Sequence, residues 1–236
     1  MNVNNLQFCL TTALMVACLA PVPAAEQPED EEVEFVPAMF PDDERALVHK
    51  VKFPDVEGDV RVTLLCDSAV TSQGRFDRTF CFTEGRDLVA YELAVFNAVL
   101  KARMIPARVR GKKEHVWFQF SVAFNKTGEK KSIQVFPNQL HNIGEYGIDY
   151  IGPQRYDFTG AGTACMPVHG IWLSMTVDEH GIPHDLQLLG DAGGFCAEAV
   201  VDLVRTALYI PAFSNGRPVK AKAVEMFFGG NVIKRR

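Results

Sequence analysis

The sequence predicts an α+β fold of two tandem β-β-α-β units, each a small antiparallel sheet covered by one helix. Three observations carry this. Alternating apolar and polar runs flank a glycine turn, a helical apolar stripe follows, and the chain leaves each helix through Ile-Pro-Ala with another glycine beyond. The whole pattern occurs twice, from about Phe53 to Phe124 and from about Cys165 to Phe228, so one small unit is used twice.

In chain order, Met1–Ala25 carries no charged side chain, and an apolar stretch of 13 residues, Phe8–Ala20, precedes Pro21, Pro23, Ala24 and Ala25. As a helix that stretch spans about 20 Å, short of the roughly 30 Å hydrocarbon core of a bilayer. We read residues 1–25 as an export leader, cleaved or lipid-anchored, in preference to a retained membrane helix, which would need Leu6–Ala25 with both prolines inside it. Met15-Val16-Ala17-Cys18 outlines a lipoprotein box with Cys18 as the acylated residue. Met15 stands where leucine is usual and Val22-Pro23-Ala24 offers a competing cleavage site, so an ordinary leader cysteine is the preferred reading of Cys18.

Glu26–Glu34 holds six carboxylates in nine residues, and residues 26–50 read as an acidic, solvated tether. The net charge of -5 is mostly this patch. No basic stripe with interleaved aromatics is present, which argues against nucleic acid as a partner.

The first unit is assigned to residues 51–124. Val60, Val62, Leu64 and Cys66 alternate with polar residues, Gln73-Gly74 turns the chain, and Arg75–Phe82 returns as the partner strand. Val95, Ala98, Val99 and Ala102 then fall at i, i+3, i+4 and i+7, a helical face. Ile105-Pro106-Ala107 ends the helix, because proline cannot donate and biases its predecessor to extended geometry. Val116, Phe118, Phe120, Val122 and Phe124 alternate with Trp117, Gln119, Ser121 and Ala123, the clearest strand in the chain.

Residues 125–164 show no stable periodicity and are read as a packed connection. The second unit, 165–229, repeats the plan with Ile171–Val177, a His180-Gly181 turn, Ile182–Leu189, a helical face at Val200, Leu203, Val204 and Ala207, and the exit Ile210-Pro211-Ala212. Its closing strand lies near Val219–Phe228, with Val224, Met226 and Phe228 on one side. Residues 230–236 form a terminal tail.

Four cysteines lie beyond the leader, and an exported chain meets an oxidising compartment. Centring the first hairpin on Gln73-Gly74 sets Cys66 opposite Cys81, so a bridge is expected there. Cys165 with Cys196 is the complement, and small buried thiols without a bond are the alternative for both pairs. No Cys-x-x-Cys pair or nucleophile motif appears. His180 and His184 flank a turn with Asp178 and Asp185, but Gly181 and Pro183 deny them helical spacing, so a plain turn is expected rather than a zinc site. No catalytic, cofactor-binding or metal residue is assigned.

The run His169-Gly170-Ile171 through Val177-Asp178-Glu179-His180-Gly181, then Ala199-Val200-Val201, Ile210-Pro211-Ala212 and Asn215-Gly216-Arg217-Pro218-Val219, resembles the C-terminal domain of TonB energy transducers. The first unit looks like a diverged member, keeping Phe53-Pro54, Gly58, Gly74, Ile105-Pro106-Ala107 and Gly111. The resemblance implies a periplasmic, non-enzymatic binding module without a cofactor, whose partners are extended segments of envelope or outer-membrane receptor proteins taken up by strand addition. Such transducers carry a retained N-terminal helix with a histidine and a long Pro-rich spacer. Met1–Ala25 has no histidine and the acidic stretch is short, so an accessory binder fits better than an energy transducer with an uncleaved anchor. A third expectation, from another class, is a self-associating envelope protein, a homodimer or an internal pseudo-dimer of the two sheets.

Overall fold

The computed structural model describes residues 34–82, 88–156, 170–190 and 195–227. In the first half these form β1 (Phe35–Val36), a 3-10 turn (Leu47–His49), β2 (Val60–Val70), β3 (Phe76–Phe82), α1 (Val89–Val99), β4 (Arg108–Val109), β5 (Lys112–Lys113) and β6 (Val116–Thr127). The connection supplies β7 (Lys130–Phe136), α2 (Ile143–Tyr146) and β8 (Gln154–Arg155). The second half holds β9 (Ile171–Val177), β10 (Pro183–Leu189), α3 (Phe195–Arg205), β11 (Tyr209–Ile210), β12 (Ala212–Ser214), β13 (Arg217–Val219) and β14 (Ala221–Phe227). Strands outweigh helices, every pairing is antiparallel, and the fold is α+β.

The larger sheet has the order β3-β2-β6-β7. On one face Leu64, Cys66 and Val70 of β2 lie opposite Val122, Phe120 and Val116 of β6, and all six are buried. Tyr91, Val95 and Ala98 of α1 join them in the same core, the i, i+4, i+7 face of the helix. Phe40 and Phe53 close this core edge-on against Phe118 and Phe124, the ring geometry aromatic quadrupoles prefer. Cys66 and Cys81 are directly opposed and joined by a disulfide, their Cα atoms 4.0 Å apart. Cys196 is also disulfide-bonded, and Cys165, its expected partner, lies outside the described residues, as does Cys18.

The smaller sheet has the order β10-β9-β14. Leu173, Met175 and Val177 of β9 form its buried side with Val204, Ala207, Tyr209 and Ala223.

Each half locks its first hairpin against its helix exit in the same way. Gly74 (φ +73) presses on Met104, whose N–H donates to the Gly74 carbonyl at 2.8 Å, and a Cβ on Gly74 would stand 2.1 Å from the Met104 carbonyl oxygen. Gly181 (φ +80) presses likewise on Tyr209, whose N–H donates to the Gly181 carbonyl at 3.2 Å, with 1.9 Å left for a Cβ. Past each exit a two-residue turn with positive φ at both positions, Arg110-Gly111 and Asn215-Gly216, reverses the chain as a type I′ hairpin. A short strap also pairs with each exit. Met39 and β1 lie along Ile105 and β4, and Ile151 and β8 lie along Phe213 and β11. The straps meet through Gln154, whose fully buried carboxamide accepts from the Ala38 N–H and donates to the Ala38 carbonyl, both at 2.8 Å.

Four expectations are corrected. The solvated tether to residue 50 fails from Phe35 onward, because Phe35, Ala38, Phe40, Leu47 and Val51 are drawn into the first core. The aperiodic connection contains β7, a fourth strand that pairs with β6 throughout; its start, Lys130-Lys131-Ser132, is polar on both faces and gives no period-two signal. The first sheet is covered on both faces, since Asp67, Gln119 and Ser121, opposite the helix-covered core, are buried as well. On β14 it is Ala221, Ala223 and Glu225 that are buried, whereas Val224 and Met226 sit half-exposed on the other side and Phe228 lies outside the described residues. Among the described residues no helix is long and apolar enough to cross a membrane.

Candidate functional site

Strand addition needs a sheet edge with unpaired main-chain groups, and the two sheets end on β3, β7, β10 and β14. β10 is interrupted by a bulge between His184 and Gln187, with Asp185 at φ 53. β3 has a register break beside Val70, and its last residue, Phe82, packs on Trp172 with ring centroids 4.9 Å apart. β7 is regular and mostly exposed.

The outer edge of β14 differs from the other three. Successive residues of a strand direct their main-chain groups to opposite sides, so Lys220, Lys222 and Val224 face away from β9. The Lys220 carbonyl accepts from the Tyr146 hydroxyl at 2.8 Å. The Lys222 carbonyl accepts from Asn142 Nδ2 at 2.9 Å, and the Lys222 N–H donates to Asn142 Oδ1 at 3.4 Å. The Val224 carbonyl accepts from Gln119 Nε2 at 2.7 Å. Among the described residues no strand reaches this edge; side chains alone do. Asn142 and Tyr146 stand on a loop tied at its base by the buried Asn138, whose Nδ2 donates to the Ile148 and Tyr150 carbonyls.

Beneath the edge runs a buried polar seam between the two sheets. Arg155 Nε stands 3.0 Å from Glu225 Oε2, both side chains nearly excluded from water, and the guanidinium lies over the Phe227 ring. Asp67 accepts a hydrogen bond from Gln139 Nε2. Burial, and then the Glu225 carboxylate, push the Asp67 carboxyl well above its usual value, against Gln119 and Arg155, which act the other way. Burial and the Glu225 charge likewise push the Tyr209 hydroxyl up. Two carboxylates thus share one arginine in a low-dielectric seam, and the proton favoured on Asp67 relieves the excess negative charge.

A pH prediction follows from Asp67. A folded state that holds the proton more tightly than the unfolded chain loses stability as pH rises from the ordinary carboxyl value near 3.8 toward the raised folded value. Asp67→Asn keeps an acceptor for Gln139 and removes the titration. The variant is expected to gain stability over the parent as pH rises, by at most about 1.4 kcal/mol per pH unit across that window, with no such gain below pH 3.8. Urea unfolding of both proteins at buffer settings from about pH 3.5 to about pH 7 checks the slope; parallel curves would refute it.

The histidine turn is structural. Asp178 Oδ1 accepts the N–H groups of His180 and Ile182, and Oδ2 lies 2.7 Å from His184 Nε2. Burial alone would raise Asp178, but these hydrogen bonds outweigh it and hold the carboxyl below its usual range. Among the described residues no group of three or more His, Cys, Asp or Glu is placed to hold a metal. In the amino-acid order only the closing strand itself marks the edge; Asn142 and Tyr146 lie in a stretch without periodicity, and Gln119 shows only as a polar residue alternating with the apolar ones of β6. No family model, curated protein or solved structure matches the chain.

Proposed function

We propose that this chain is an exported, non-enzymatic TonB-like protein of the periplasm that binds extended segments of envelope or outer-membrane receptor proteins by strand addition to β14. The observation that carries the reading is the contrast between the two closing strands. β6 has its outer edge filled by a strand, β7, supplied by the connection. β14 has the same edge served only by side chains. Reading the chain as a duplication makes those edges equivalent, and several paired features support it: the sheet orders β3-β2-β6 and β10-β9-β14, the two glycine contacts on the helix exits, and the two type I′ hairpins. In this view β7 is a built-in added strand, and the second unit keeps the corresponding place for a partner.

The test is amide NMR of the purified chain titrated with a partner segment recovered from envelope extract. Protection of the outward Val224 amide and shifts at Lys222, with β6 unchanged, are expected. Recovery of no segment, or binding that leaves β14 unmoved, overturns the proposal. The self-associating alternative rests on a different observation, the regular exposed edge of β7. It would show as concentration-dependent protection of Ile133 and Val135 without any partner.

A further inference from the structure

The loop that reaches β14 imitates a strand without being one. The Asn142 carboxamide donates to the Lys222 carbonyl and accepts from the Lys222 N–H, the two contacts a paired residue makes in an antiparallel ladder. Tyr146 and Gln119 take the carbonyls two residues to either side. The three side chains together therefore occupy the positions at Lys220, Lys222 and Val224 that an added strand would use.

The loop is fastened at its ends by the buried Asn138, Gln139 and Tyr150, and between them by Tyr146 packing on Tyr150, while Ile143 and Ile148 are left exposed. Leu140 and Asn142 both sit at positive φ, 62° and 58°. Asparagine tolerates that region; leucine does so only under constraint. The only regular structure in the loop is the single turn of α2.

The charge of the edge indicates the occupant. Lys220 and Lys222 are exposed, and among the described residues neither is in an ion pair. Their side chains, two residues apart, point to the same side of the strand. The loop itself carries Glu145 and Asp149.

Resting on the strand-addition reading, we infer that the loop Asn138–Tyr150 is a displaceable stopper on the edge of β14, and that the segment displacing it carries acidic side chains at alternate positions opposite Lys220 and Lys222. The occupant is thus an extended acidic peptide rather than the exposed strand β7 of a second copy, which begins with two lysines.

The experiment titrates a fluorescent peptide of alternating threonine or valine and glutamate, and its lysine counterpart, against the full chain, Asn142→Ala/Tyr146→Phe and Lys220→Glu/Lys222→Glu. The opened variant is expected to bind the acidic peptide about tenfold tighter than the parent, since the three hydrogen bonds that Asn142 and Tyr146 make to the edge no longer compete. The charge-reversed variant should lose it, and the lysine peptide should bind neither the parent nor the opened variant. Equal binding of both peptides by the opened variant overturns the assignment of the partner. Hydrogen exchange without peptide separates the remaining outcomes. An unchanged Lys222 amide in the opened variant overturns the stopper, whereas faster exchange with no acidic peptide bound overturns the docking reading beneath it. Should the double variant unfold, Tyr146→Phe alone, which keeps the ring and frees only the Lys220 carbonyl, is compared by its affinity for the acidic peptide, and an affinity no higher than the parent's overturns the stopper.

Discussion

Gly181→Ala is expected to destabilise the protein by about 4 kcal/mol or more, and Gly74→Ala by a similar amount. Two costs add at each position. The backbone is left-handed, φ +80 and +73, which charges any L side chain about 1–2 kcal/mol. The new Cβ would also stand 1.9 Å from the Tyr209 carbonyl oxygen or 2.1 Å from that of Met104, well inside van der Waals contact. The obstacle is backbone in both cases, so no rotamer change relieves it. Moving the turn away breaks the hydrogen bond from Tyr209 or Met104 to the glycine carbonyl and pulls the hairpin from the exit of its helix. Gly216→Ala is the control. It has the same sign of φ, +74, and nothing within 4 Å of a Cβ, so only the conformational cost of about 1–2 kcal/mol is expected. Urea unfolding of the three variants side by side tests the argument, and a Gly181→Ala loss no greater than that of Gly216→Ala would refute the packing half of it.

These two glycines illustrate what is legible in the amino-acid order. Each hairpin announces itself because a glycine interrupts a period-two run, and centring the first turn on Gln73-Gly74 is enough to place Cys66 opposite Cys81. That each glycine also touches the residue before Ile-Pro-Ala is a tertiary fact with no local signature. The alternation of β6 correctly separates Phe118, Phe120 and Phe124 from Gln119 and Ser121. It misleads about the second group, because a polar face buried against another polar surface has the same pattern as one facing water. Gln119 finds the Val224 carbonyl and Ser121 Oγ finds the Asn138 carbonyl, so both are satisfied out of solvent. The straps are hidden for a similar reason. Phe35–Val36 and Gln154–Arg155 are too short to show a period, and the carboxylates before Phe35 make that stretch read as solvated. The edge of β14 was legible as a strand, but its side-chain cover comes from a loop whose sequence has no repeat to follow.

Arg155→Met is the second large effect, expected to cost about 3–5 kcal/mol near neutral pH. The substitution keeps much of the apolar stem and removes the guanidinium that pairs with Glu225 and lies over Phe227, so the loss is chiefly electrostatic. It strands Glu225 with its 3.0 Å partner gone and leaves it with Asp67, two acids in one buried seam. Water cannot reach in to screen them, and the seam must either take up a second proton or open. Removing the stranded charge should restore most of the loss, and Arg155→Met/Glu225→Gln is therefore expected to approach the parent, because a buried pair replaced as a whole costs far less than half a pair. The double-mutant cycle by urea unfolding near neutral pH reads the coupling directly. Additive losses would mean that Arg155 holds the seam by packing alone. A strong coupling would mean that the ion pair fixes β8 to β14, and with it the position of the strand whose outer edge is proposed to receive a partner.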